Sequence, residues 1–153
     1  MRKYNYLFLF LLFILIIGCK KNKTSIYSFE NNIWTVNDSV SLVFDVSDTS
    51  KTYNLSLFFR NTLDYEYRNL YLFVQTSWLD SLIKIDTLQY PISDKYGSWF
   101  GRGLGNTRDN YFLFEANRQF TKLGLYEIKL IHGMRNENLI GCSKFGFKVR
   151  KNE

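Results

Sequence analysis

The sequence predicts an all-β domain, a two-sheet antiparallel β-sandwich with an immunoglobulin-like arrangement among its options. Three observations carry this. Short segments alternate apolar and polar residues at a period of two, the spacing that buries one face of a strand. Clusters of Asn, Asp and Ser separate those segments, and their short side chains favour turns by bonding to nearby backbone. Beyond the N-terminal leader, no window shows the 3.6-residue period of an amphipathic helix. Many short strands joined by such turns bury their apolar faces by packing as two layers.

In chain order, Met1-Arg2-Lys3 is basic and Leu7 to Ile17 is unbroken apolar. Basic, apolar, then small is the layout of an export signal. As a helix this run reaches only about 16 Å, roughly half the hydrocarbon thickness that a spanning helix must cross. A cleaved signal over residues 1–18 is therefore expected rather than a spanning anchor. The run ends Ile16-Ile17-Gly18-Cys19 and passes into Lys20-Lys21-Asn22-Lys23. This resembles the bacterial lipoprotein signal, which implies lipid attachment at Cys19 as the first residue of the mature chain. One acyl chain holds a protein on a bilayer marginally, whereas two or three hold it durably. Residues 19–30 are polar and lysine-rich and read as a flexible tether. Residues 31–153 then form the sandwich domain, long enough to bury about two thirds of its unfolded surface.

Within that domain Leu42, Phe44 and Val46 share a face, as do Leu55, Leu57 and Phe59, and then Leu70, Leu72 and Val74. Ile83 and Ile85, the segment Tyr111 to Phe114, then Tyr126, Ile128 and Leu130, and finally Phe145, Phe147 and Val149 continue the alternation. β-branched and aromatic side chains suit such half-buried surfaces. Leu123-Gly124-Leu125-Tyr126 resembles the tyrosine corner of immunoglobulin-like sandwiches.

Charge narrows the function. The formal net charge of +6 falls to +4 once Arg2 and Lys3 leave with the signal (6 − 2 = 4). Lys20, Lys21 and Lys23 supply three of those positives beside the lipid, so the folded part is near neutral and points away from nucleic acid. With Cys19 acylated, Cys142 is the one remaining thiol; it reads as a small buried hydrophobe, and an intrachain disulfide has no second cysteine.

The stretch Gly97-Ser98-Trp99-Phe100-Gly101-Arg102-Gly103-Leu104-Gly105 raises a phosphate loop. A dinucleotide loop needs a strand before it and a helix after it. Here the strand-like Tyr111 to Phe114 follows, and no Gly-Lys-Ser/Thr ending is present. An extended strand is expected instead, with Trp99 lying over glycine backbone and Phe100 and Arg102 forming a recognition edge on the other face. The lone His132 reads as a hydrogen-bonded structural residue, since no nucleophile motif accompanies it. Asp45, Asp86, Glu115 and Glu127 fit solvated strand faces better than an acid–base pair. Asp38, Asp45 and Asp48 lack calcium-loop spacing. No metal, cofactor or nucleotide is therefore expected, and no catalytic residue. Tyr65, Tyr67 and Tyr71 form the densest tyrosine cluster and are candidates for partner binding, beside Phe100 and Arg102.

A longer series of residues resembles a family. It runs from Ile16-Ile17-Gly18-Cys19 and Trp34 through Phe44-Asp45-Val46, Tyr53-Asn54-Leu55 and Arg60-Asn61. It continues with Asn69-Leu70, Gly97-Ser98-Trp99-Phe100-Gly101-Arg102-Gly103, Gly124-Leu125-Tyr126, His132-Gly133-Met134-Arg135 and Leu139-Ile140-Gly141. In this order the pieces resemble the gliding-motility lipoprotein GldH family of Gram-negative gliding bacteria and their non-gliding relatives. The resemblance implies a cell-envelope lipoprotein needed for surface gliding, with ties to the machinery that exports adhesins, and brings no catalytic residues. The combined expectation is a non-enzymatic protein held to the outer membrane through Cys19, facing the periplasm and binding other envelope proteins. The alternative is a surface-exposed glycan-binding lipoprotein that uses Tyr65, Tyr67 and Tyr71 or Trp99.

Overall fold

The computed structural model describes residues 22–152. Its strands are β1 (Asn22–Ser28), β2 (Ile33–Thr35), β3 (Val40–Val46), β4 (Thr52–Thr62), β5 (Asn69–Trp78), β6 (Ser81–Pro91), β7 (Thr107–Gln119), β8 (Gly124–His132), β9 (Asn138–Ile140) and β10 (Cys142–Lys151). A single 3-10 turn, Glu30–Asn32, interrupts them.

The pairing follows from one long antiparallel ribbon. β5 and β6 form a hairpin, and outward from it β4 pairs with β7, β3 with β8 and β1 with β10. Successive pairs fall alternately into two sheets, ordered β1-β10-β4-β7 and β3-β8-β5-β6. The expected two-sheet antiparallel sandwich is thus present. Eight strands rolled in this way make a jelly roll, so the strand order is not the immunoglobulin one, which divides seven strands four and three.

The alternation does what its period dictates. β3 buries Val40, Leu42, Phe44 and Val46 and exposes the residues between them. β4 turns Tyr53, Leu55, Leu57 and Phe59 inward, and β8 and β10 answer with Tyr126, Ile128, Leu130, Phe145, Phe147 and Val149. Tyr126 Oη donates to Lys122 O at 3.2 Å, the local bond that a tyrosine corner makes. β6 departs from expectation: Ile83 and Ile85 point to solvent while Leu88 and Tyr90 pack against the core. Its apolar residues switch parity midway, which an outermost strand tolerates because half its length has little core to face.

The N-terminal boundary also differs. From Asn22 the chain is already β1, paired with β10 from Asn22↔Arg150 to Ser28↔Lys144. The tether expected over residues 19–30 and the domain start at residue 31 give way to a strand. The composition hid it because an edge strand is held by main-chain bonds, and its most apolar residue, Ile26, is 60 % exposed. The expected signal and Cys19 lie outside the described residues.

β2 pairs with β9 as a separate two-stranded piece and plugs one end of the sandwich with Trp34, which is 0 % exposed. Trp34 stacks on Phe29 with ring centroids 4.7 Å apart and meets the edge of His132 at 5.5 Å. His132 is the buried structural residue expected, but neither ring nitrogen makes a hydrogen bond of good geometry. Burial holds its pKa below the ordinary histidine value, opposed by the nearby Glu137 backbone and Asp38. The pH consequence has a definite sign. Above its unfolded pKa of about 6.5 the ring is neutral in both states and contributes no pH dependence. Below that value the unfolded chain takes up the proton first, so stability should fall as pH drops toward the lower folded pKa. Denaturation midpoints measured from pH 8 down to about 5.5 should show this decline, and His132→Phe should flatten it. Equal slopes in both proteins would refute the assignment.

Candidate functional site

The tyrosine cluster and the glycine-rich loop come together at one end of the sandwich. β1 enters at the opposite end, where Asn22 pairs with Arg150 and Tyr53 with Lys151. At the far end the 63–68 loop after β4 and the 92–106 loop after β6 are stitched to each other. Ile92 N and Ser93 N both donate to Arg68 O, at 2.7 and 3.2 Å, and Leu63 N donates to Asn106 O at 3.1 Å. A shallow polar groove lies between them, with Glu66, Tyr67 and Arg68 on one side and Ser93, Asp94 and Lys95 on the other.

The glycine-rich segment is a folded loop rather than the extended strand expected. Asp94 Oδ1 accepts from Tyr96 N at 2.8 Å and Ser98 N at 2.9 Å, closing a turn in which Gly97 has φ +87°. These bonds hold the Asp94 carboxyl below the usual carboxylate range, the Ser98 backbone amide first among them. The amides that a phosphate would use are thus taken by the chain's own carboxylate. Trp99 is half-buried, bridges Ser93 and packs against the core. Gly103 passes so close to Thr107 that an added Cβ would lie 2.2 Å from its carbonyl oxygen. Beneath Gly101, buried Asn110 donates to Phe59 O at 3.1 Å and to Asn61 Oδ1 at 3.0 Å. Close backbone approach, not one-sided exposure, explains the glycines.

The candidate residues divide. Tyr65 is 3 % exposed, and its hydroxyl donates to Asn69 O at 2.9 Å. Burial pushes its phenol pKa far up, so it is a core residue and not a surface contact. Tyr67 stands half-exposed, its ring edge against Tyr65 at 5.7 Å. Phe100 is 58 % exposed, and its backbone N–H donates to Ile92 O at 3.0 Å. Arg102 exchanges two main-chain bonds with Asp109, at 3.1 and 2.7 Å, which leaves its side chain in solvent. Asp109 is held in turn by a bidentate ion pair, Nε and Nη2 of Arg60 lying 2.5 and 2.7 Å from its carboxylate oxygens. Tyr71 lies on the outer face of β5, its amide donating to Met134 Sδ at 3.3 Å.

Two of the four carboxylates are engaged in ion pairs. Asp86 and Glu115 share Lys84, at 3.0 and 3.6 Å, and Glu115 also meets Arg118 at 2.8 Å, an ion cluster that closes the β6–β7 side of the sandwich. Asp45 and Glu127 lie on the neighbouring strands β3 and β8, opposite Leu125 and Val43, on the outer face of that sheet. Cys142 is fully buried, and desolvation pushes its thiol pKa far up, as suits a small apolar residue. Among the described residues no cluster of three His, Cys, Asp or Glu could hold a metal ion, and no helix is long and apolar enough to cross a membrane.

Sequence reasoning missed one surface. On the outer face of β1-β10-β4-β7, Ile26, Gly146, Phe58 and Tyr111 stand in register across all four strands. Phe58 and Tyr111 rings lie 5.1 Å apart, and a small apolar pocket opens over Gly146. The signal was available: Phe58 and Tyr111 occupy the polar parity of their strands.

The family model described as GldH lipoprotein matches residues 21–149. A gliding motility lipoprotein GldH homolog of Christiangramia forsetii is 27 % identical, covering 100 % of this chain and 99 % of its own. The gliding motility lipoprotein GldH of Flavobacterium johnsoniae is 26 % identical over all of both chains. Among solved structures, the Salmonella Typhimurium periplasmic inhibitor of g-type lysozyme, PliG, covers 88 % of this chain and 93 % of its own at 15 % identity and TM-score 0.34. A family 35 carbohydrate binding module from Clostridium thermocellum covers 81 % and 90 % at 11 % identity and TM-score 0.35.

Proposed function

Because this chain belongs to the GldH lipoprotein family, we propose that it is a non-enzymatic envelope lipoprotein, anchored through acylated Cys19 to the periplasmic face of the outer membrane. Its far loop end receives protein components of the gliding or adhesin-export machinery. The observation that supports this reading is the rigid display of Phe100 and Arg102. Exposed aromatic and Arg side chains on a pre-ordered surface are the commonest binding hot spots, because little entropy is lost when they dock. Here the Asp94 turn, the Asn110 network and the Arg60–Asp109 pair hold the loop before any partner arrives. Tyr67 and Tyr71 extend the surface. A glycan platform built from the tyrosine cluster is not supported, because Tyr65 is interior.

Two measurements test the reading. Cys19→Ser should abolish incorporation of a clickable fatty acid and leave the signal uncleaved; labelling that persists removes the anchor. Arg102→Ala and Phe100→Ala should each leave the melting temperature within a few degrees, since exposed substitutions usually cost under about 0.5 kcal/mol. They should also weaken recovery of envelope proteins with the tagged chain from gently solubilised membranes. Unchanged recovery with both variants would remove the loop end as the contact.

A further inference from the structure

The outer face of the β1-β10-β4-β7 sheet has an apolar row with cations on either side. Ile26, Phe58 and Tyr111 form the row over the Gly146 floor, where an added Cβ would sit 3.2 Å from Ile26 Cγ1 and 3.5 Å from Phe58 Cβ. Glycine is what lets the two side chains close into a shallow apolar hollow. One step toward the β1 entry end, Leu113 extends the apolar surface, 60 % exposed, in the same row as Lys148 with Ser56 between them. Lys148 and Arg150 project from β10 on this face, and Lys144 lies on the other side of the row. The one carboxylate in the facing rows, Asp109, is neutralised by Arg60. Among the described residues no acidic side chain pairs with Lys148 or Arg150.

We propose that this face rests on the bilayer surface, the apolar row entering the interfacial zone and Lys144, Lys148 and Arg150 lying over anionic headgroups. The inference rests on the Cys19 anchor only for which side of the molecule is held nearest the lipid. The chain enters the sandwich at Asn22, three residues after Cys19. At about 3.3–3.6 Å per residue that segment reaches roughly 10 Å. Sheets in a sandwich stand about 10 Å apart, and outward side chains add to that. A three-residue link leaving β1 therefore serves the outer face of its own sheet and is too short to lay the β3-β8-β5-β6 face on the membrane. Charge agrees: a surface of mixed aromatic, aliphatic and basic residues is what seats on an anionic interface. Docked so, the protein keeps Tyr71 and the far loop end open to partners.

Single-cysteine labelling of the full acylated chain tests this. Cys19 is consumed by its thioether and Cys142 is buried, so an introduced surface cysteine takes an environment-sensitive dye alone. Leu113→Cys reports the proposed face, and Ile85→Cys the outer face of the other sheet, where Ile85 is exposed. In vesicles of phosphatidylethanolamine doped with phosphatidylglycerol, the dye at 113 should shift to shorter wavelength and be quenched by nitroxide lipids, and the dye at 85 should not. Interfacial seating places such groups about 5–10 Å into the headgroup boundary. Lys148→Gln and Arg150→Gln should each weaken docking roughly fivefold. A wet dye at 113 on a chain that mass spectrometry shows to be acylated overturns the docking face and leaves the anchor standing. An unacylated chain that still docks through 113 does the reverse. Drying of 113 without vesicles, with rising protein concentration or added polysaccharide, assigns the face to a second copy or a glycan and overturns the proposal.

Discussion

Trp34→Ala should remove about 3–5 kcal/mol of stability, the range of aromatic truncations in well-packed cores. Trp34 belongs to neither large sheet; β2 and β9 carry it into the open end of the sandwich. There it stacks on Phe29, touches Phe145 with centroids 5.0 Å apart, and covers His132. Its indole N–H donates to Asp38 O at 3.1 Å, which ties the following turn to the plug. Alanine removes the filler and the tie together, and the cavity opens where β2 and β9 close the end of the sandwich. Against a total stability of about 5–15 kcal/mol, the loss should appear as a melting temperature lower by on the order of 10 °C. Trp34→Phe keeps the stack on Phe29 and loses only the hydrogen bond and some volume, so it should fall between the two. Solvent entering beside His132 should also bring its pKa back toward the ordinary value and weaken the acid dependence of stability. An alanine variant that melts with the parent would show that the plug is dispensable.

The strands of the two sheets were legible wherever the chain buries one face and wets the other. Leu42-Phe44-Val46 and Leu70-Leu72-Val74 are cases in which burial and period agree completely. Legibility ended where that coupling breaks. β1 pairs through main-chain atoms with little to bury, and β6 switches apolar parity midway, so neither announces which face is inner. The jelly-roll order was hidden for another reason: it depends on which strands meet across long sequence separations, and alternation carries no record of that. At the candidate site, Phe100 and Arg102 were exposed as expected, but a run of glycines looked like a strand because close backbone packing against Thr107 and Asn110 has no one-dimensional signature. Tyr65 was misplaced because a tyrosine whose hydroxyl finds a carbonyl four residues on can enter the core at little cost.

Gly141→Ala is the second large effect expected. Gly141 turns the chain from the plug strand β9 into β10, which lies in the middle of a large sheet. Its φ of +81° puts it in the region that side chains with a Cβ avoid, at a cost of about 1–2 kcal/mol. Space adds to the strain: a Cβ there would lie 2.4 Å from Tyr65 N and 2.6 Å from Tyr65 Cα. Those are backbone atoms, so no side-chain rotation relieves the overlap, and forced repacking of this kind costs a further 1–3 kcal/mol or about that. The same glycine's carbonyl accepts from Thr62 N at 2.8 Å, anchoring the end of β4. A shift that spares Tyr65 therefore pulls on that bond and on the buried Asn61 beside it. The sum, about 2–5 kcal/mol, should appear as an early denaturation midpoint and raised proteolysis around residues 62–68. Gly105→Ala is the control: its φ of +62° carries similar strain, but nothing lies within 4 Å of the added carbon. It should lose only the strain term. If both alanine variants lose the same amount, the Tyr65 contact contributes nothing, and conformational strain alone explains glycine at position 141.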